Sequence, residues 1–489
     1  LKRIILLLHR YLGIALCLMV AAWCLSGVVM MYVAFPSFTS TQRIASLAPL
    51  QLADCCHFDA ARAALGSLAI DHFEIDMLAD RPTLRLSSAG HPVLLDLREG
   101  RLLPPADNKA ALRIVAAYQQ NTGVAGTPRL LGTIDRDQWT VSSGYAINGP
   151  LHKIALGDAS GTELYVAARS AQIVQRTTAR QRIWNYCGAI THWLYFTPLR
   201  QHATAWAQTV IWLSVLGVVL TIAGVYLGFA QLRIRQKVQR WSPYRGLNLW
   251  HHVSGVLFGL LVLAWMGSGL LSMNPWGLLQ SRHGVDETAR LSQVQITASQ
   301  AIEIAQRLAQ AGLIRDLSGQ ATLQVASATL GASVYLLATR IDRTTGELHR
   351  VRLDAATLTP MPLQLPEMLQ AVQVLQPGLA PTSVERLSAG DDYYYSDHER
   401  DFAPVYRIVF GDAEKSTYYF DAVSGALLSK VDRAARGYRW LFNAVHRWDF
   451  SATVRRRPLW DFIMVTLLVG VALCSLTGVV LGFRRIMPR

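Results

Sequence analysis

Four of the thirteen histidines in this 489-residue chain, His9, His192, His251 and His446, stand at the ends of long apolar stretches and fall into two matched registers. A neutral imidazole is a strong axial ligand for iron, and helix bundles build cofactor sites from inward side chains on facing helices. Placing His9 on His251 also superposes Gly13 on Gly255, Trp23 on Trp265, Ser26 on Ser268, Gly27 on Gly269 and Met31 on Met273. Placing His192 on His446 superposes Gly157-Asp158-Ala159 on Gly411-Asp412-Ala413, Tyr165 on Tyr419, Trp206 on Trp460, and Gly224-Val225 on Gly478-Val479. Unrelated apolar helices seldom share so many non-aliphatic residues in one register. The sequence reads as two parallel copies of one unit.

The elements that must position these residues are read from hydropathy. Of all residues 51% are apolar and only 16% charged, which puts a membrane protein first among the classes to test. Charge-free stretches run over Tyr11 to Phe35, Ala203 to Leu232, Val253 to Ser281 and Phe462 to Phe483, each long enough to cross a hydrocarbon core of about 30 Å. The first is too long for a signal-peptide core and reappears later in the chain, so it reads as a retained helix. The net charge of +14 could suggest a nucleic-acid partner, but the basic residues crowd the ends of the apolar stretches, which argues for membrane topology and against nucleic acid. Arg233, Arg235, Lys237, Arg240 and Arg245 fill the short link between the second and third stretches, and no Asp or Glu occurs from Leu164 to Val285. By the positive-inside rule that link is cytoplasmic. Lys2, Arg3 and Arg10 before the first stretch, and Arg484, Arg485 and Arg489 after the last, agree.

The expected layout is a four-helix transmembrane bundle with two α+β outer domains. It places transmembrane helices over 1–35, 201–232, 251–281 and 456–483, outer domains over 36–200 and 282–455, a basic cytoplasmic loop over 233–250 and a cytoplasmic tail over 484–489. In a bacterium the outer domains would be periplasmic and the protein would sit in the inner membrane. Within the second domain, Ser299 to Ala311 has a helical pattern, Ser333 to Arg340 alternates as a strand, and Thr345-Gly346 and Ser424-Gly425 mark hairpin turns. The first offers Val93 to Leu97 and Leu102 around a turn at Glu99-Gly100. No Cys-x-x-Cys-His occurs, so covalent c-type haem is excluded, and the six cysteines have no zinc or iron–sulfur spacing. Nor do they form a disulfide framework: Cys17, Cys24 and Cys474 lie in spans, Cys187 near one, and Cys55 and Cys56 are adjacent.

Parallel copies are related by a pseudo-two-fold axis along the membrane normal, which pairs His9 with His251 and His192 with His446. Each pair is expected to straddle the axis as the two axial ligands of a b-type haem, giving two haems, one near each face of the bilayer. Gly13 lies one turn beyond His9, and Gly255 and Gly259 lie one and two turns beyond His251, leaving room for a flat macrocycle. Gly224 and Gly228, repeated as Gly478 and Gly482, suit either that purpose or the close approach of helices. His202 and His252 have Arg456 and Arg10 at the equivalent positions and are expected to be secondary: propionate partners, alternative ligands or interfacial residues. Trp23 and Trp265 fit core packing better than a place between haems. The run Tyr393-Tyr394-Tyr395 reads as an exposed strand or loop.

The motifs His-Arg-Tyr-Leu-Gly from His9 to Gly13, the echo from His251 to Gly255, the run ending at Trp448, and Tyr-Phe-Asp-Ala-Val-Ser-Gly-Ala-Leu from Tyr419 to Leu427 resemble the PepSY-associated transmembrane family. Within it they are most similar to the inner-membrane ferric-siderophore reductases. The resemblance spans the chain and implies PepSY-type outer domains, two b-type haems on His9, His192, His251 and His446, and reduction of an iron chelate in the periplasm. The first copy departs from the PepSY turn, with Ala167-Ala168-Arg169 opposite Asp421-Ala422-Val423. The expected function is a transmembrane electron conduit. A quinol or a cytoplasmic reductase would supply electrons, a ferric siderophore would accept them, and Fe(II) would be released. A transporter or permease subunit is the first rival, and should show charges at mid-membrane. A membrane-anchored regulatory module is the second, and needs no paired histidines.

Overall fold

A computed structural model describes all residues except 53–54, 233–240, 280, 282–284, 312–321, 343–344, 346, 396–403, 452 and 488–489. Most of the basic loop, Gly346 of one expected turn, and Arg489 therefore lie outside the described residues. The chain divides into two compact units, one of residues 1–35, 180–281 and 433–489, the other of 36–179 and 282–432.

The first unit is built on four helices, Lys2–Met30, Ala203–Ala230, Gly246–Ser272 and Leu459–Ile486, with mean hydropathy between 1.9 and 2.4. At a rise of 1.5 Å per residue each is about 40 Å long, enough to cross a bilayer core. Their facing sides bury Val20, Cys24, Trp265, Met266, Leu468, Val471 and Ala472 in one cluster, while Leu18, Trp212, Leu257, Leu260, Phe462 and Leu473 point outward and stay exposed. Such a surface suits lipid. The third helix stops at Ser272, short of 281, because Pro275 disfavours helical backbone at the residue before it and Asn274 turns left-handed at φ +46°. Two short helical segments belong with this unit. Ala189–Trp193 carries His192, and Val445–Arg447 carries His446; each ends on a left-handed residue, Leu194 and Trp448.

The second unit is α+β. A seven-stranded antiparallel sheet is ordered Leu348–Asp354, Ser333–Ile341, Gln324–Leu330, His72–Leu78, Arg81–Ser88, His91–Asp96 and Arg101–Leu102. Its middle joins the two chain segments, with Val325 opposite Ile75 and Ala326 opposite Glu74. Helix Ala298–Ala311 buries Ala301, Ile302, Ala305 and Leu308 against Phe73, Ile75, Leu84 and Val325. The sequence-expected helix, the strand from Ser333 and the turns at Gly100 and Gly425 are all present, both glycines at positive φ.

The unit also holds a two-stranded pairing of Ala69–Ile70 with Ile296–Thr297 and two four-stranded antiparallel sheets: Arg129–Ile134, Leu151–Ala155, Glu163–Ala167 and Ile173–Thr177, and Pro381–Leu387, Val405–Phe410, Thr417–Asp421 and Leu427–Val431. Each four-stranded sheet follows chain order, and each breaks register at matching tyrosines, after Tyr165 in one and Tyr419 in the other. Tyr165 donates to Asp137 Oδ2 at 2.7 Å beside Lys153 Nζ at 3.0 Å, and Tyr419 donates to Asp391 Oδ2 at 2.8 Å beside Arg407 Nη1 at 3.0 Å. Burial, then the bond to Asp391, push the Tyr419 phenol above its usual range. Tyr394 stacks on Tyr419 with centroids 5.2 Å apart, so the tyrosine run is a loop, one of the two forms expected, but half-buried rather than exposed.

Arg352, buried over the Tyr335 ring at 4.1 Å, donates from Nη1 to Glu367 Oε2 at 2.9 Å and holds that carboxyl below its ordinary range. Removing the half-buried Glu367 carboxylate leaves the buried Arg352 guanidinium uncompensated. Glu367→Gln is expected to cost about 1–2 kcal/mol, seen as a lower melting temperature above the carboxylate range. Since the folded-state value is depressed, the difference from wild type should vanish as pH falls through it.

Candidate functional site

The four sequence-selected histidines meet in two pairs. The His9 and His251 ring centroids are 6.3 Å apart, and those of His192 and His446 are 6.1 Å apart. Imidazole–metal bonds are about 2 Å long, so two rings binding one ion from opposite sides would have centroids about 6 Å apart. Both pairs match that separation.

The ring nitrogens are also sorted. His9 Nδ1 lies 3.2 Å from the Leu220 carbonyl, and His251 Nδ1 lies 3.3 Å from the Cys474 carbonyl and 3.0 Å from Thr477 Oγ1. His192 Nδ1 lies 3.0 Å from the Trp23 carbonyl and 3.1 Å from Ser26 Oγ. His446 Nδ1 lies 3.1 Å from Ser268 Oγ, with the Trp265 carbonyl also hydrogen-bonded to this ring. A carbonyl only accepts, so Nδ1 of His9, His192 and His251 must carry the proton, and at His446 the partner of Nδ1 is Ser268 Oγ, whose own proton is spent elsewhere. Ser26 and Ser268 direct their own hydroxyl protons to the Trp23 and Trp265 carbonyls, at 3.0 and 3.2 Å, which leaves their lone pairs for the imidazoles. Each Nε2 is then an unprotonated donor atom, and none of the four is hydrogen-bonded among the described residues. Tying the second nitrogen to a carbonyl is how proteins orient ligating histidines.

The space beside the rings is kept by glycine. A Cβ on Gly224 would come within 2.8 Å of His9 Cε1, and one on Gly478 within 3.3 Å of His251 Cε1. Gly27 and Gly269 stand in the same relation to His192 and His446, at 3.8 and 3.5 Å. A Cβ on Gly255 would meet nothing within 4 Å, and one on Gly13 would make ordinary contact with Cys17 Sγ at 3.7 Å and Leu220 at 3.9 Å. Gly228, Gly259 and Gly482 instead face Val256, Val225 and Ile14 at 3.2, 3.0 and 3.2 Å, and serve close helix packing.

Other candidates separate on their contacts. His252 spends both nitrogens, on Ser242 Oγ at 2.8 Å and the Gly228 carbonyl at 2.9 Å, so it ties helix ends together and has no atom left for a ligand. His202 is an exposed residue at the start of Ala203–Ala230 and caps nothing. Trp23 and Trp265 pack within the inter-helix cluster with their indole N–H groups buried. Trp206 and Trp460 make one matched bond, each Nε1 donating to a carbonyl, of Trp193 at 2.8 Å and of Arg447 at 2.9 Å. These bonds pin each histidine-bearing turn to the helix that follows.

The described residues contain no group of three or more His, Cys, Asp or Glu able to hold a bare metal ion. Two imidazoles with a free ring nitrogen each would suit a metal whose remaining ligands come from a planar macrocycle. The donor set fits haem. Four helices able to span a membrane and two histidine pairs define the class, a membrane-type helical bundle that brings histidines together at two places. No protein-family model matches the chain, and no curated protein matches it.

Proposed function

We propose that the chain is an inner-membrane oxidoreductase, a tandem duplication that holds two b-type haems and passes electrons across the bilayer to Fe(III) in ferric siderophores. The observation that carries this reading is the repetition at both pairs of one arrangement: opposed rings about 6 Å apart with Nδ1 anchored and Nε2 free. The matched sheets, tyrosine–aspartate bonds and tryptophan bonds support the duplication. Iron held between two such nitrogens supplies a one-electron couple.

The residues of the chain supply the rest. Leu220, Cys474 and Trp23 fix the tautomer through their carbonyls and Ser268 does so at His446, and the apolar faces of the helices keep water from the sites. The basic residues of 233–250 support a cytoplasmic loop, with the α+β unit in the periplasm, where a ferric siderophore is the substrate. Siderophores bind through hard oxygen donors, which hold Fe(III) more tightly than Fe(II), so reduction releases the metal without acid–base machinery. A quinol or a cytoplasmic reductase would supply the electrons.

The test is an absorption spectrum of detergent-purified protein made with adequate haem supply, before and after dithionite. Sharp low-spin b-type bands that then bleach back on adding a ferric siderophore are expected. A colourless protein would remove the proposal.

A further inference from the structure

Cys55 and Cys56 are neighbours in sequence and are joined by a disulfide, while Cys17, Cys24, Cys187 and Cys474 are free. A disulfide stabilises a fold chiefly by closing a loop in the unfolded chain, and its effect grows with the residues enclosed. Between adjacent residues no loop is enclosed. This bond therefore staples nothing, and its use has to be sought in its chemistry.

The pair is held in place rather than hung on a loose segment. On one side the Leu50 N–H donates to the Thr322 carbonyl at 2.9 Å and Leu52 is buried. On the other, the His57 N–H donates to the Leu97 carbonyl at 3.0 Å. Gly100, at φ +65°, presses on this backbone so closely that a Cβ there would lie 2.5 Å from the His57 carbonyl oxygen. Both cysteines are half-buried at the edge of the seven-stranded sheet's core, so a small thiol can reach the sulfurs without unfolding the unit. Cys56 directly precedes His57, the N-cap of helix Phe58–Leu65, whose side chain makes no capping bond. Asp59 in the first turn of that helix is occupied by Arg62 at 2.9 Å.

We propose that Cys55–Cys56 is a reversible two-electron thiol–disulfide centre that exchanges with a dithiol reductant. A thiolate of the reductant attacks Cys55 Sγ, the bond to Cys56 Sγ breaks, and Cys56 leaves with the electron pair and takes up a proton. The second thiolate of the reductant then attacks the mixed disulfide and releases Cys55, which takes up the second proton. The chain gains two electrons and two protons, and the reductant departs as its own disulfide. This centre is independent of the haem proposal.

The test uses the full-length protein in detergent, equilibrated without denaturant across a series of reduced and oxidised dithiothreitol mixtures. Samples are then acid-quenched, unfolded, labelled with a maleimide and weighed, and peptide masses assign the labels. Labelling should switch between four and six cysteines per chain, reversibly, with the change confined to the Cys55–Cys56 peptide. The double variant Cys55→Ser/Cys56→Ser should stay at four throughout and melt at the wild-type temperature. Free thiols at this peptide in the most oxidising mixture, or an intact bond in the most reducing one, would overturn the proposal. A clear drop in the melting temperature of the double variant would show a staple instead; if that variant does not fold, the wild-type titration decides alone.

Discussion

His446→Ala is expected to remove one of the two proposed haems and leave the other, so the low-spin absorbance of the reduced protein should fall by about half. The ring lies 6.1 Å from its partner His192, and neither Ser268, bonded to Nδ1, nor the Trp265 carbonyl, bonded to the ring, can take its place as an iron ligand from where it stands. His192→Ala should remove the same haem, because a pair with one member missing has lost half of its axial ligands. His9→Ala and His251→Ala should remove the other haem and spare this one. Within each pair the double variant should lose no more haem than either single one, whereas His9→Ala combined with His446→Ala should lose both. The check is pyridine haemochrome quantitation against protein mass, with the fold monitored by helical circular dichroism. Loss of both haems from one substitution in a folded protein, or retention of both, would refute the pairing. A milder effect is expected where only orientation is lost: Ser268→Ala keeps the carbonyl anchor and should keep the haem while shifting its reduction potential.

The helices and the pairing of the four histidines were legible in the sequence for one physical reason, the demand of a bilayer for long uncharged runs, against which a repeated histidine or serine stands out. The end of the third helix was also readable, since Asn274-Pro275 stops it at Ser272, although hydropathy alone carries the run to 281. The groups that sort the imidazole nitrogens were not legible. Leu220, Trp23, Cys474 and Trp265 act through backbone carbonyls, which every residue has, so their side chains carry no signal. Ser26 and Ser268 did carry one, as matched hydroxyls inside apolar helices, but a hydroxyl there can equally bond its own helix, and only the geometry shows that each does both. The joining of 324–330 to 72–78 in one sheet depends on strands some 250 residues apart in the chain meeting edge to edge, and strand patterning fixes a face without naming a neighbour. The bond between Cys55 and Cys56 escaped a search for cysteine spacing because adjacent residues have none.

Gly224 offers the sharpest distinction between a glycine that packs helices and one that makes room for a ligand. Both uses are expected of small residues in membrane helices, and the sequence gives Gly224 and Gly228 the same surroundings, one turn apart in the second long helix. Their neighbours differ. A Cβ on Gly224 would fall 2.8 Å from His9 Cε1 and 3.1 Å from Nδ1, inside contact distance of a ring already anchored to Leu220 one turn away. One on Gly228 would meet the methyl end of Val256 at 3.2 Å, which a small shift can relieve. Gly224→Val should therefore push His9 off its anchor and empty the His9–His251 site, at a cost in haem as large as that of His9→Ala, while the His192–His446 haem stays. Gly228→Ala should keep both haems and lower the melting temperature by no more than the few degrees that overpacking by about 1 kcal/mol produces. Haem quantitation and thermal melting of the two variants, prepared side by side, measure both effects. Equal haem retention in the two would return Gly224 to the role of a packing residue and would mean that the His9 ring can move aside, contrary to a site whose ligand is fixed before iron arrives.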